Sequence, residues 1–353
     1  MKFLFCGDVM PGGVLPYQEK YITPELQAFM DSFDFRVATL EAAIGTDLSY
    51  DPVKMDGKQN IIYARDEDFF RIKEMGFDVV SLANNHFWDL GVEGMKNAIR
   101  HLKENGIAYC GAGMNLKEAS CPAVIEKDGL RIAILASCMY GNKWLGYVEL
   151  AEKDKSGVNP LDIDRILDDI QRAKKEYDYV IVMPHWGREH LFDPLQECVR
   201  MAKKMVEAGA DAVLGSHPHR IQPMIVYRGK PICFSMGNFL FPDFYMQPPR
   251  PIWYPSSKEE VAAIKDAMWY PSHTEEHIRQ VWNRIARYGC AIGLTLTKKG
   301  IDASVYYVHT SDDNVVSLSE LPVDIRRGLF RAKLKLRSSI VRFAVKAKRM
   351  ILR

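Results

Sequence analysis

A strand–helix–strand pattern decides the fold class, and it lies in residues 179–219, YVIVMPHWGREHLFDPLQECVRMAKKMVEAGADAVLGSHPH. The runs Tyr179–Met183 and Ala212–Leu214 are apolar and largely β-branched, and Pro194–Ala208 between them has helical spacing. Each run is followed at once by polar residues that include histidine. Strands that alternate with helices in this way are typical of a layered α/β fold.

The same alternation extends through the first two thirds of the chain. Further predicted strands are Lys2–Cys6, Arg36–Leu40, Val79–Ala83, Ile107–Cys110 and Val124–Ala136, and further predicted helices are Asp66–Met75, Val92–Asn105 and Leu161–Glu176. After about Gln222 the pattern changes to hairpins, which are Ile225–Tyr227 with Ile232–Ser235 and Ala291–Thr297 with Ala303–His309. Hairpins beside parallel strands predict mixed sheets.

The segment 239–288 between the two hairpins is rich in proline and aromatic residues. Aromatic side chains at this density usually find burial, which favours an excursion packed over the core. The alternative is a wall of a substrate cleft.

Composition limits the class of protein. The chain has 353 residues, 47% of them hydrophobic, which is enough to bury one large core or two ordinary ones. No apolar run approaches the roughly 18 residues of a membrane span, and the short run Phe3–Cys6 is no signal peptide, so the sequence predicts a cytoplasmic protein. Seven cysteines without a Cys-x-x-Cys pair argue against a disulfide framework and against a cysteine-based zinc module.

The charge is concentrated at the carboxyl end. Residues 325–353 contain eleven Lys and Arg and no Asp or Glu, although the net charge of the whole chain is only +2. Apolar residues recur there in steps of three and four, at Leu329, Ala332, Leu336, Ile340, Phe343, Ala347 and Met350. This basic amphipathic helix fits the surface of an anionic membrane, or it packs on the body or on a partner. No nucleic-acid-reading motif accompanies the charge, so no nucleic-acid partner is expected.

Metal-ligand residue types follow five of the predicted strands. They are Asp8, Glu41, Asn84-Asn85-His86, His185, and His217 with His219. Each alone has an ordinary structural explanation, such as a turn or a hydrogen-bonded histidine. Because the carboxyl ends of strands in an α/β sheet meet at one edge, we expect them to converge. Carboxylate, amide and imidazole ligands without thiolate suit Mn, Fe, Zn, Co or Ni, and six ligands suffice for two ions, which favours hydrolysis.

These residues stand in motifs that resemble the CapA capsule-synthesis family (PGA_cap). The motifs are Gly7-Asp8-Val9-Met10, Leu40-Glu41, Ala83-Asn84-Asn85-His86 with Asp89, His185-Trp186-Gly187, Gly215-Ser216-His217-Pro218-His219 and Ser235-Met236-Gly237-Asn238-Phe239. The resemblance covers residues 1 to 241 and extends weakly to His309. It implies a CapA-like domain over 1–310, followed by the basic helix over 325–353, and a role in bacterial poly-γ-glutamate capsule biosynthesis.

The family is similar to the calcineurin-like metallophosphoesterases, which implies a four-layer α/β/β/α sandwich with a site for one or two divalent ions, Mn, Fe or Zn. By this resemblance Asp8 and His219 ligate the first ion, Glu41 bridges, and Asn85, His185 and His217 ligate the second. His86 is then the general acid, oriented by Asp89. Arg188, Arg220, Asn84 and Asn238 are the implied substrate-binding residues.

The resemblance leaves two functions open. One is a metal-dependent hydrolase acting in capsule or cell-envelope polymer metabolism on an anionic polymer or phosphoester. The other is a non-catalytic component that binds the polymer or organises a synthesis complex. Met10 stands where the phosphoesterases have the histidine of Asp-x-His, which leaves the first ion with one imidazole fewer.

Overall fold

The computed structural model describes residues 1–46, 60–141, 147–247, 251–267 and 276–336. Two large mixed sheets dominate these residues. Their strands are β1 (Lys2–Val9), β2 (Phe35–Leu40), β3 (Val79–Ser81), β4 (Ala108–Cys110), β5 (Ala123–Lys127), β6 (Leu130–Cys138), β7 (Tyr179–His185), β8 (Ala212–Leu214), β9 (Met224–Tyr227), β10 (Lys230–Cys233), β11 (Asn238–Leu240), β12 (Tyr288–Thr297), β13 (Gly300–Thr310) and β14 (Val316–Ser319).

The first sheet has the strand order β14-β13-β12-β1-β2-β3-β4, with β11 also paired to β1, and the second has the order β9-β10-β8-β7-β6-β5. Strands β1 to β4 run parallel to one another, as do β6, β7, β8 and β10. The hairpin strands pair antiparallel at the sheet edges. All the parallel strands of each sheet therefore end at one edge.

Helices flank the two sheets. They are α1 (Pro24–Asp31), α2 (Phe70–Glu74), α3 (Gly91–Glu104), α4 (Leu116–Ala119), α5 (Ile163–Glu176), α6 (Gln196–Ala208) and α7 (Lys258–Ala263). Helix α3 packs against the first sheet, and α5 and α6 pack against each other and against the second. One hydrophobic core contains residues of both sheets, such as Phe5 and Ile134. The predicted α/β/β/α layering with mixed sheets is confirmed.

One predicted strand was wrong. The apolar run Val124–Ala136 is two strands, β5 and β6, which form a hairpin around Asp128-Gly129. Both turn residues have positive φ, at 54° and 71°, which is the backbone of a type I′ turn. The second strand extends to Cys138, beside the end of β7.

The proline- and aromatic-rich excursion is packed, as one of its two interpretations predicted. Phe241 and Phe244 are buried in a small apolar cluster together with Met10. A buried ion pair between Arg287 and Asp243 holds the end of the excursion, with two contacts of 3.0 and 2.9 Å from Arg287 Nη2 to the carboxylate. The Asp243 carboxylate also accepts the backbone N–H of Trp282 at 2.9 Å.

The C-terminal helix is only partly described. Residues 323–336 are helical, and the predicted continuation over 337–353 lies outside the described residues. The predicted apolar face turns inward, because Ala332 and Leu336 are buried and Leu329 packs against the core. Residues 323–336 thus pack on the body, and the membrane-surface interpretation of 325–353 stays a prediction. Among the described residues, no helix has the length and apolarity to cross a bilayer.

A close approach of two backbones fixes the end of β1. A Cβ placed on Gly7 would lie 1.9 Å from the carbonyl oxygen of Gly237, which also accepts the backbone N–H of Asp8 at 3.0 Å. We therefore expect Gly7→Ala to lower the free energy of unfolding by roughly 2–4 kcal/mol, because the backbone must shift. Urea denaturation followed by circular dichroism measures this, and an unchanged midpoint would contradict it.

Candidate metal centre

The carboxyl ends of five parallel strands converge on one buried cluster. Asp8 is the next-to-last residue of β1, Glu41 follows β2, and Asn85 lies four residues after β3. His185 is the last residue of β7, and His217 and His219 follow β8. All six of these side chains are buried. Residues separated by more than two hundred positions in sequence thus meet at the sheet edges, as the position of the motifs predicted.

The cluster contains two overlapping triads that share one carboxylate. The ligand atoms of Asp8, Glu41 and His219 lie within 4.8 Å of one another, and so do those of Glu41, His185 and His217. Glu41 Oε1 is 3.4 Å from His185 Nε2 and 3.6 Å from His219 Nε2. Both triads have the composition of a divalent-ion site, and Glu41 is the side chain placed to serve both.

Several ligand atoms of the cluster are buried without a hydrogen bond. They are Asp8 Oδ1, both carboxylate oxygens of Glu41 and both ring nitrogens of His217. A buried polar atom left unsatisfied costs about 1–3 kcal/mol, so five of them in one place need a compensating ligand. No Lys or Arg pairs with Asp8 or Glu41 in the part of the chain that the structure describes. Divalent cations fit this donor set.

Burial sets the charge of the cluster. It raises the pKa of Asp8 to about 7, although hydrogen bonds from the His217 backbone and Ser216 lower it. Burial and then the neighbouring Asp8 carboxylate raise the pKa of Glu41 well above its ordinary range. Burial also lowers the pKa of His217 to about 3 and that of His185 and His219 well below the usual value. The imidazoles are therefore neutral at pH 7, the form that binds metal.

Neighbouring side chains fix the orientation of the imidazoles. His219 Nδ1 lies 2.8 Å from Asn238 Oδ1, so this nitrogen donates and Nε2 faces Glu41. The Asn238 amide itself donates to the carbonyl of Ala286 at 3.1 Å. His185 contacts Ser216 Oγ through Nδ1 at 2.9 Å and Asn85 Oδ1 through Nε2 at 2.8 Å. Partners of this kind hold the ligand nitrogens toward the centre.

His86 lies on the loop after β3 and pairs with Asp89. His86 Nδ1 is 2.7 Å from Asp89 Oδ2, which also accepts the backbone N–H of Ile62 at 2.8 Å. Asp89 is fully buried, and His86 is 9% exposed. A carboxylate on one ring nitrogen fixes the orientation and tautomer of the ring.

The implied substrate-binding residues fall into two groups. The Asn84 amide donates to the carbonyl of Leu40 at 2.7 Å, and its oxygen accepts the His86 N–H at 3.0 Å. Asn84, like Asn238, thus holds neighbouring groups in place, and the predicted substrate-binding role of both stays a prediction. Arg188 is exposed, whereas Arg220 is buried next to His219 in the sequence.

The backbone of the loop after β8 is strained at two ligands. His217 has φ of 93° and His219 has φ of 48°, in the left-handed region that residues with a Cβ rarely adopt. Backbone strain of this kind costs of the order of 1–3 kcal/mol per residue and concentrates at functional sites. It turns both imidazoles of the His-Pro-His motif to the centre.

The motifs agree with a match over most of the chain. A protein-family model described as "Bacterial capsule synthesis protein PGA_cap" matches residues 2–243, which hold every candidate ligand. The chain belongs to this family. Two curated PGA_cap relatives are the PGA biosynthesis protein CapA of Bacillus subtilis (strain 168), 33% identical over 67% of this chain, and the capsule biosynthesis protein CapA of Bacillus anthracis, 32% identical over 68%. The chain covers 62% and 60% of their lengths.

Solved structures similar to this PGA_cap chain include two with low sequence identity. A hypothetical protein from Thermus thermophilus has 18% identity and a TM-score of 0.49, covering 91% of this chain and 100% of its own. A protein from Staphylococcus aureus, described as a "Putative 5'-Nucleotidase", has 12% identity and a TM-score of 0.48, covering 94% of this chain and 58% of its own.

Two residues at the PGA_cap centre were not predicted from the sequence. Ser216 lies in the motif Gly215-Ser216-His217-Pro218-His219 but received no role, although a hydroxyl next to a candidate ligand was an available signal. Trp282 lies beyond the family match, and its ring centroid is 5.0 Å from that of His219. The packed excursion thus contacts the candidate centre through Trp282, and its role as a wall of a substrate cleft stays a prediction.

Proposed function

We propose that this PGA_cap protein is a metal-dependent hydrolase with a binuclear centre. The observation that carries the proposal is the set of five unsatisfied buried ligand atoms on Asp8, Glu41 and His217. Asp8, Glu41 and His219 would hold one ion, and Glu41, Asn85, His185 and His217 the other. Bound divalent ions supply Lewis-acid polarisation of a phosphoryl oxygen and lower the pKa of water.

The protein's own residues supply the proton transfer and part of the binding in this proposal. His86 protonates the oxygen of the leaving group as its bond to the reacting centre breaks, and Asp89 keeps the ring in position and stabilises its charge. Asn84 and Asn238 act as positioning residues for His86 and His219. The strained loop after β8 keeps the ligand imidazoles preorganised.

The substrate class is proposed from the family and from one buried cation. The relatives' names place them in PGA, capsule or polyglutamine synthesis, so we propose an anionic capsule or cell-envelope polymer, or a phosphoester. Arg220 is 8% exposed, and no carboxylate of a described residue pairs with it. Its side-chain hydrogen bond goes to Asn283 Oδ1 at 3.2 Å, and its buried Nε has no partner. A buried guanidinium of this kind favours an anionic substrate group.

The location of the protein and its partners extend this proposal. A capsule-synthesis complex and the surface of an anionic membrane, reached through the basic segment 325–353, are the proposed partners. The cytoplasmic location stays a prediction.

Metal content and turnover test the proposal together. Purified protein loaded with Mn²⁺, Fe²⁺ or Zn²⁺ is analysed for bound metal and assayed with p-nitrophenyl phosphate, its bis ester and a γ-glutamyl oligomer. We expect two ions per chain and metal-dependent turnover of one of these substrates. We also expect His86→Asn to keep both ions and to lower kcat by about 10²–10⁴-fold. Wild-type protein that binds no divalent ion under any loading condition would defeat the proposal.

Substitution of Arg220 tests the anion site. Arg220→Gln keeps the length and removes the charge, so we expect KM for an anionic substrate to rise by about tenfold or more, with a smaller change in kcat. Steady-state kinetics with metal-loaded protein measures both constants. The matched control is Arg228→Gln, in an exposed hairpin turn between β9 and β10, which should leave both constants unchanged.

A second candidate is a non-catalytic polymer-binding or scaffold component, which one observation favours. Met10 is fully buried in a separate apolar cluster, and its sulfur accepts the Gly12 N–H at 3.1 Å. The position that carries a histidine in the phosphoesterases is thus used for packing. Polymer binding without turnover by fully metal-loaded protein, unaffected by His86→Asn, supports this second candidate against the first.

A further inference from the structure

An apolar cavity opens beside the C-terminal helix. Its volume is about 320 Å³, and it lies between the β9–β10 hairpin, strands β12 and β13, and residues 323–336. Ile225, Ile292 and Val305 line its walls, and Val226, Phe330 and Lys333 belong to the same lining. This volume is within the range of small-ligand pockets, and the predominantly aliphatic lining suits a hydrocarbon chain.

Large apolar side chains are exposed around this cavity. Val226 is 70% exposed and Phe330 is 62% exposed, and both line the cavity. Leu334, four residues after Phe330, is 47% exposed, and Val323, seven residues before Phe330, is 52% exposed. At these spacings the three side chains lie on one face of the helix. This second apolar face is distinct from the buried one. Large exposed apolar side chains beside an apolar cavity are typical of a membrane or partner surface.

The same surface carries uncompensated positive charge. Arg326, Arg327, Arg331 and Lys333 are exposed and form no ion pair with any residue that the structure describes. Asp324, the one acidic residue of the segment 323–336, pairs with Arg284. The sequence 337–353 adds six Lys and Arg and no Asp or Glu. The complementary partner is therefore anionic on its surface and has hydrocarbon chains beneath it.

We propose that this face docks on an anionic phospholipid membrane, with Phe330, Leu334 and Val226 entering the interface. One lipid acyl chain occupies the cavity between the β9–β10 hairpin and the helix, and the exposed basic residues lie at the level of the phosphate groups. Apolar insertion together with cationic attraction is how interfacial helices bind bilayers. This inference rests on the membrane partner named in the proposed function. It assigns the contact to the helix face that carries Phe330 and Leu334, whereas the sequence indicated the opposite face.

Vesicle binding by the full chain tests the proposal. Co-sedimentation is measured with two kinds of vesicle. The anionic vesicles contain equal amounts of phosphatidylglycerol and phosphatidylcholine, and the neutral vesicles contain phosphatidylcholine alone. We expect binding to the anionic vesicles to be at least tenfold tighter and to weaken in high salt. The double variant Phe330→Ser, Leu334→Ser should bind anionic vesicles about tenfold or more weakly than wild type.

A remote apolar residue provides the matched control. Met114 lies four residues after β4, which is the edge strand of the first sheet at the end opposite β14. Its side chain is 41% exposed. Met114→Ser should bind vesicles as the wild type does. Circular dichroism and thermal unfolding of each variant establish that it is folded.

Three outcomes would overturn the membrane proposal. The wild type could bind both vesicle types equally, or it could bind neither. The folded double variant could also bind as strongly as the wild type, and this result would assign the binding to residues 337–353 or to another surface. Metal content and turnover are measured on the same preparations. Asp8, Glu41 and His217 do not line the cavity. Wild-type protein that turns over substrate but binds no anionic vesicles therefore contradicts only this inference, and wild-type protein that binds anionic vesicles without metal or turnover contradicts only the proposed hydrolase.

Discussion

Glu41→Gln is expected to empty both halves of the candidate centre. Glu41 belongs to both triads, and both of its carboxylate oxygens are buried without a hydrogen bond, so the neutral amide removes the shared charge. We expect divalent-ion affinity to fall at least 100-fold and turnover to fall about 10³-fold or more. Elemental analysis should find two ions per chain in the wild type, one in His217→Ala and essentially none in Glu41→Gln.

Another buried carboxylate provides the control for this series. Glu149 is 2% exposed, forms an ion pair with Lys155 and belongs to neither triad. Glu149→Gln therefore changes a buried charge without changing the centre, and it should keep two ions and full turnover. Equal metal content in Glu41→Gln and Glu149→Gln would show that Glu41 is not a shared ligand.

The affinity for divalent ions is expected to rise with pH over the range in which Asp8 and Glu41 lose their protons, which for Asp8 is centred near pH 7. The pKa of Asp8 is raised by burial to about 7, and that of Glu41 is raised as well, so below pH 7 the metal-free protein holds protons that a cation must displace. The imidazoles do not compete, since the pKa of His217 is lowered to about 3. Each displaced proton makes affinity change about tenfold per pH unit, so two protons give up to about 100-fold.

Calorimetric titration checks this dependence. Titrations of Mn²⁺ or Zn²⁺ into metal-free protein at several values between pH 5 and 8, in buffers of different ionisation enthalpy, count the protons released. We expect up to about two protons released per chain at low pH, and fewer as the pH rises past 7, because Asp8 has then lost its proton before the metal binds. Asp8→Asn should reduce the number released. An affinity that is flat between pH 5.5 and 7 would mean that both carboxyls are already ionised in the metal-free protein.

The convergence of the candidate ligands could be predicted from the sequence because a topological rule links strand ends to one edge of the sheet. Each candidate ligand follows a strand, and parallel strands place their carboxyl ends at one edge, so the convergence of Asp8, Glu41 and the histidines required no knowledge of long-range packing. The same rule could not identify Trp282. Its contact with His219 depends on how the proline-rich excursion folds back, which Asp243 and Arg287 decide.

Two differences have specific physical causes. The hairpin at Asp128-Gly129 was hidden because apolar residues continue on both sides of it, although an Asp-Gly pair is a strong turn signal. The inward face of the C-terminal helix was found by its periodicity, but periodicity cannot distinguish protein from lipid as the covering material. Phe330 and Leu334 fell outside the predicted stripe and are the exposed ones.

The position of the ligands has a consequence for the lifetime of the newly made chain. Asp8 and Glu41 come from the first sheet, whereas His185 and His217 come from the second, so ions bound at the proposed centre would tie the two sheets together. Before loading, the same edge holds two buried acidic groups and strained histidines, which oppose closure. Apoprotein should therefore open more readily to proteases, and the supply of transition metal in the cell should set how much of the protein accumulates.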